Sequence, residues 1–142
     1  MIKKIFILFV FCLSFSQITF ASAAPIVKPV TSNSQIVPQN IDLTICNKIF
    51  KVDAQKLFYL TLASVNANKF KIDEIKSKNG YIVFSAAEKQ YLASIINIDA
   101  NNSMLKITPC NNIYYFPSGI VQNMFKYIEL NTNMNIQKLS VI

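Results

Sequence analysis

The sequence contains no histidine, no arginine and no tryptophan, and only two glycines in 142 residues. Without histidine, Ser-His-Asp and Cys-His catalysis and every His-containing metal site are excluded. With only Gly80 and Gly119, a phosphate-cradling glycine-rich loop cannot be built. The absence of arginine removes the forked cation that nucleic-acid readers favour. Beyond Lys3-Lys4 the lysines are spread singly along the chain, so the formal charge of +7 reads as a solvated surface with at most a weak pull toward anionic envelope surfaces. No nucleic-acid partner is expected.

What is present begins with a short positive start, Met1-Ile2-Lys3-Lys4, and an apolar run from Ile5 to Leu13. A more polar stretch and Ala21-Ser22-Ala23 follow, with small residues where signal peptidase reads them. Residues 1–23 therefore read as a signal peptide, and the apolar run falls well short of the roughly 20 residues a bilayer span needs. Cleavage after Ala23 is preferred, because a cut after Ala24 would place Pro25 at the scissile bond. The competing reading is an uncleaved N-terminal anchor. Cleavage predicts an exported protein, periplasmic or extracellular and of bacterial character, with no transmembrane segment in its mature form. Removing Lys3 and Lys4 leaves 12 lysines against seven acids, a charge of +5.

The remaining 119 residues suit one domain that folds without a cofactor. Residues 24–42, with Pro25, Pro29 and Pro38, read as a flexible linker. A single domain is expected over 43–130 and a polar tail over 131–142. The mature cysteines are Cys46 and Cys110. In an exported protein an even pair predicts one disulfide, which would close a loop of about 64 residues and stabilise by roughly 4 kcal/mol; the alternative is two free thiols.

Periodicity predicts a first strand over Thr44–Val52, its alternation setting Cys46, Phe50 and Val52 against Ile45 and Ile49. Asp53 can cap a helix, whose apolar stripe runs through Ala54, Leu57, Phe58, Thr61, Leu62 and Val65. Strands follow over Phe70–Lys76, with a bulge near Asp73, and over Tyr81–Ala86. Asn79-Gly80 between them is suited to a type I′ turn. Further strands are expected over Gln90–Ile98 and Ser103–Thr108, then a helix over Ser118–Leu130. The order β-α-β-β-β-β-α predicts an α+β fold, an antiparallel meander with both helices on one face. In element order this resembles helix-grip and related α+β modules of bacterial envelope proteins; no motif carries it to a particular family.

The mature acids supply no plausible catalytic pair. Asp53 is explained as a cap and Asp99 as a turn residue, while Asp73 and Glu74 would alternate to opposite faces of a strand. No enzyme, metal or cofactor is expected. Tyr114, Tyr115 and Phe116 sit in the segment before the last helix and form the candidate contact surface; alternatively Tyr114 and Phe116 plug the core and leave Tyr115 outside. The expectation is a small exported non-catalytic module binding a protein, peptide or envelope component. A structural or assembly accessory, for which an exposed apolar patch is expected, and a His-independent hydrolase are the competing readings.

Overall fold

The computed structural model describes residues 37–135. The signal segment, residues 24–36 of the linker and residues 136–142 lie outside the described residues. Two antiparallel sheets and two helices make the expected α+β fold. The strands are β1 (Pro38–Asn40), β2 (Asn47–Phe50), β3 (Lys71–Lys76), β4 (Tyr81–Ala86), β5 (Lys89–Asn97), β6 (Ser103–Pro109) and β7 (Tyr115–Pro117). The helices are α1 (Ala54–Ala67) and α2 (Gly119–Asn131). The main sheet runs β2-β6-β5-β4-β3: β3 to β6 form the meander, and β2 adds antiparallel beside β6. Helix α1 therefore carries the chain from one edge of the sheet to the other.

Local chemistry explains the elements. The Asp53 carboxylate accepts the Lys56 N–H at 2.8 Å, satisfying a donor that the first turn of α1 leaves open. The expected stripe of α1 is buried at Leu57, Phe58, Thr61 and Val65, but Leu60, Ala63 and Ser64 are buried as well. The reason is α2, which packs beside α1: Ser64 Oγ donates to the Met124 carbonyl at 3.3 Å. Helix α2 also covers β2, through an edge-on Phe50–Phe125 pair at 5.9 Å and a Lys48–Glu129 ion pair at 2.5 Å. Helix α2 buries Ile120, Val121, Met124, Phe125 and Ile128 along one stripe.

The first strand is shorter than its alternation suggests. Leu43–Cys46 forms a 3-10 turn capped by Asp42, and β2 begins only at Asn47. The two-residue periodicity still sorts the faces: Cys46, Phe50 and Val52 are buried, while Ile45 and Ile49 are exposed. The end of the linker also belongs to the fold. Pro38–Asn40 pair with Tyr115–Pro117, and Ile41 donates its N–H to the Tyr114 carbonyl at 2.8 Å. Neither proline can donate a ladder hydrogen bond, so both are confined to this short two-stranded ribbon.

The first two hairpin turns of the meander reverse the expectation. Asn79-Gly80 does not form a two-residue type I′ turn. The strands close at Lys76↔Tyr81, leaving a four-residue loop in which Ser77–Asn79 is a 3-10 turn and Gly80 alone takes positive φ, +68°. The tight turn lies at Ala87-Glu88, closed by Ala86↔Lys89, where both residues have positive φ, 47° and 62°. That is the type I′ geometry without the residues that adopt it readily.

The core lies between the sheet and the helices. Phe84, Tyr91 and Phe116 are fully buried, with Tyr91 stacked on Phe84 at 5.4 Å and edge-on to Phe116 at 5.2 Å. The Tyr91 hydroxyl has no hydrogen-bond partner among the described residues, and burial pushes its pKa up to about 12.

Candidate functional site

Two features of the surface could make contact with another molecule. The first is a groove of about 540 Å³ between the start of α1 and the β3–β4 turn. Asp53 fixes where α1 begins, so Gln55, Phe58 and Tyr59 form one wall. Ser77–Gly80 forms the other, and Ile95 and Asn97 of β5 the floor. The turn is tied to that floor: the Ile95 N–H donates to the Gly80 carbonyl at 2.7 Å. A side chain at position 80 would bring a Cβ to 3.1 Å from the Ile95 carbonyl oxygen, so a glycine here allows the close approach as well as the positive φ. Phe58 and Tyr59 meet edge-on, their ring centroids 5.9 Å apart. The side chains of Gln55, Lys78, Asn79 and Asn97 make no hydrogen bond or ion pair among the described residues.

The second feature is the face of the main sheet turned away from the helices. Directly paired residues share a face, so the register defines its rows. Ile49, Met104 and Ile96 form one row, and Thr108, Leu92 and Val83 another. Between them run Asn47, Lys106, Ser94 and Tyr81. A solvated face of an antiparallel sheet normally reads polar; these rows carry five large apolar side chains, Ile49, Met104, Ile96, Leu92 and Val83. Ile49 is 59% and Ile96 40% exposed. Lys106 stands among them, exposed and without an ion pair among the described residues.

The remaining charges of this face are matched. The bulge falls at Asp73, between the pairs Ile72↔Phe84 and Glu74↔Val83, and corrects the expectation that Asp73 and Glu74 point to opposite faces. It turns the Asp73 carboxylate toward Ser85 Oγ, Gln90 Nε2 and Lys71 Nζ. The Ser85 hydroxyl first, then Gln90 and Lys71, outweigh partial desolvation and hold Asp73 below the usual carboxylate range. Glu74 pairs with Lys76 at 3.3 Å. Both acids are thereby engaged in structural contacts.

The cysteines do not form the expected bridge: both are free, Cys46 buried and Cys110 exposed. The register gives the reason. Asn47 lies opposite Lys106, which sets Cys46 level with Ile107, three residues short of Cys110. That offset is about 10 Å along a strand, beyond the roughly 7 Å over which Cα atoms can be bridged. Being odd in number, it also puts the two side chains on opposite faces. Burial, with Asp42 nearby, raises the Cys46 pKa; partial burial and the Asp73 charge raise that of Cys110.

Of the aromatic segment, Tyr115 and Phe116 belong to β7 and Tyr114 precedes it. Phe116 is fully buried, Tyr114 packs against the core from its margin, and Tyr115 is 51% exposed. Lys89 Nζ donates to the Tyr115 carbonyl at 2.6 Å. Of the three, only Tyr115 is free to offer its ring to a partner. Sequence reading also passed over one nucleophile spacing, Ser103-x-x-Lys106. Its members are separated by the strand: Ser103 is buried and donates to the Val52 carbonyl at 2.7 Å, while Lys106 points outward. Among the described residues no three His, Cys, Asp or Glu side chains are grouped to hold a metal. Among the same residues no helix is long and apolar enough to cross a bilayer.

No family model and no curated protein matches this chain.

Proposed function

We propose that this chain is a small exported, non-catalytic binding module that docks a protein partner through the outward face of its sheet. One observation carries the reading: the apolar rows of that face, with Ile49 and Ile96 exposed, surround Lys106, a cation with no ion pair among the described residues. Its partner is accordingly an apolar protein surface that presents one carboxylate to Lys106, since covering that lysine without an anion would bury an unpaired charge. A second copy of the chain suits the face poorly. A two-fold interface brings the same patch from both sides, and would set one Lys106 near the other.

Export supplies the compartment. Cleavage after Ala23 is proposed on the positive start, apolar run and small residues of the first 23 positions. Mass spectrometry of protein recovered from the envelope should find an N-terminus at Ala24; an intact Met1 in the membrane fraction contradicts export by cleavage.

The docking reading is tested by isolating the tagged full chain from its native host beside Ile96→Glu, Lys106→Glu and Lys78→Glu variants. A stoichiometric protein partner held by the native chain and by Lys78→Glu, and lost from both outward-face variants, supports it. A partner held equally by all four contradicts it. So does sedimentation as a dimer dispersed by Ile96→Glu, or binding to anionic vesicles in place of a protein.

A further inference from the structure

The groove beside α1 lies apart from the outward face and calls for a different ligand. Its walls are held in place, the turn by the Ile95–Gly80 hydrogen bond of 2.7 Å and the helix start by the Asp53 cap at 2.8 Å. A ligand entering it therefore pays little ordering cost. Its volume of about 540 Å³ falls within the roughly 300–1,000 Å³ of small-molecule sites. Two backbone donors here are already engaged: the Ile95 N–H is given to Gly80, and the Gly80 N–H to the Ser77 carbonyl at 3.2 Å. Beyond them β5 offers only Asn97 before it ends, too short an edge for peptide addition.

Side chains must then do the recognising. Three amides, Gln55, Asn79 and Asn97, converge with both donors and acceptors unengaged. Hydroxyl groups are the ligand chemistry that matches them, because each hydroxyl both donates and accepts. The half-buried Tyr59 adds a ring for an apolar C–H surface. Among the described residues Lys78 is the one charge in the lining and no carboxylate lines the groove with it, so an anionic substituent is favoured. One cation is too few for a nucleic-acid backbone, whose affinity rests on many phosphate contacts. A ring with several hydroxyls, an apolar face and a carboxylate is an acidic sugar.

We propose that the groove binds an acidic saccharide unit, with Gln55, Asn79 and Asn97 on its hydroxyls, Tyr59 against its ring and Lys78 on its carboxylate. The test is an NMR titration of the isotope-labelled full chain with glucuronic acid, with glucose as the neutral control and acetate as the charge-only control. Glucuronic acid should produce saturable shifts at Gln55, Tyr59, Lys78 and Asn79, with glucose binding the same residues about tenfold more weakly. Lys78→Ala should reduce glucuronic acid to the level of glucose, and Gln55→Ala should weaken both sugars. Both residues are exposed, and unchanged resonances on β5 and β6 confirm that the variants fold. The proposal is overturned if the groove gives no saturable shift, if acetate reproduces the glucuronic acid shifts, or if Lys78→Ala leaves the preference intact. Partner capture by the outward face is read separately and does not depend on any of these results.

Discussion

The two faces of the main sheet are built from the same strands and nearly the same kinds of residue, yet among the described residues only one is covered. Toward the helices, Ile82, Phe84, Tyr91, Ala93, Leu105 and Ile107 are all sealed. On the other side Ile49, Val83, Leu92, Ile96 and Met104 alternate with them and keep part or much of their surface in water. Apolar side chains that stabilise the fold must lose solvent on folding, at about 25 cal/mol per Å². Those on the outward face lose less, and Ile49 and Ile96 stay 59% and 40% exposed, so folding alone does not account for their presence there. The difference between the faces separates residues that hold the domain together from residues available to a partner.

Neighbouring positions on one strand test that separation most strongly. Leu105 is fully buried and Met104, next to it, points outward. Urea unfolding should show Leu105→Ala destabilised by about 2–5 kcal/mol, and Met104→Ala by under about 1 kcal/mol. Equal losses would mean that the outward face is covered within the protein itself. The thiols probe the same contrast without mutation. In native protein free of reductant, Cys110 should react readily with a thiol reagent, and Cys46 at least about 100-fold more slowly, until denaturant exposes it. Absence of any reactive thiol would restore the disulfide.

A smaller effect is expected where β4 turns into β5. Ala87 and Glu88 hold positive φ, at a cost of order 1 kcal/mol each. The double substitution Ala87→Asn with Glu88→Gly, which supplies the pair that type I′ turns favour, should raise stability by about 1 kcal/mol; a loss would show that the turn geometry is otherwise. The smallest change is at the centre of the covered face. Tyr91→Phe removes a buried hydroxyl without a partner, so stability should stay level or rise by up to about 1 kcal/mol. A clear destabilisation would reveal a partner for that hydroxyl.

Much of this architecture was legible in the sequence, because local rules were sufficient for it. The Asp53 cap, the stripe of α1 through Leu57, Phe58, Thr61 and Val65, and the bulge at Asp73 follow from periodicity and side-chain chemistry. What was not legible depends on residues far apart in the chain. Leu60 and Ser64 are buried because α2 lies against them. Pro38–Asn40 are ordered because β7 passes beside them, and no local feature of a proline-containing stretch announces that. Cysteine parity suggested a bridge, but parity is blind to register, which sets Cys46 and Cys110 on opposite faces. The Asn79-Gly80 signal was overridden when strand pairing closed at Lys76 and Tyr81, leaving a longer loop. Neither candidate surface was visible as a motif: the groove joins residues 55, 78 and 97, and the outward face becomes conspicuous only once the pairing of five strands is known.

The most direct measurement replaces Ser94, which lies between the two apolar rows of the outward face, with a photo-crosslinking residue in the native host. Lys78, in the groove, serves as the control position. Docking through the sheet predicts one dominant protein adduct of defined mass from position 94, abolished by Ile96→Glu, and none of that mass from position 78. The same adduct from both positions, or no protein adduct from position 94, would contradict it.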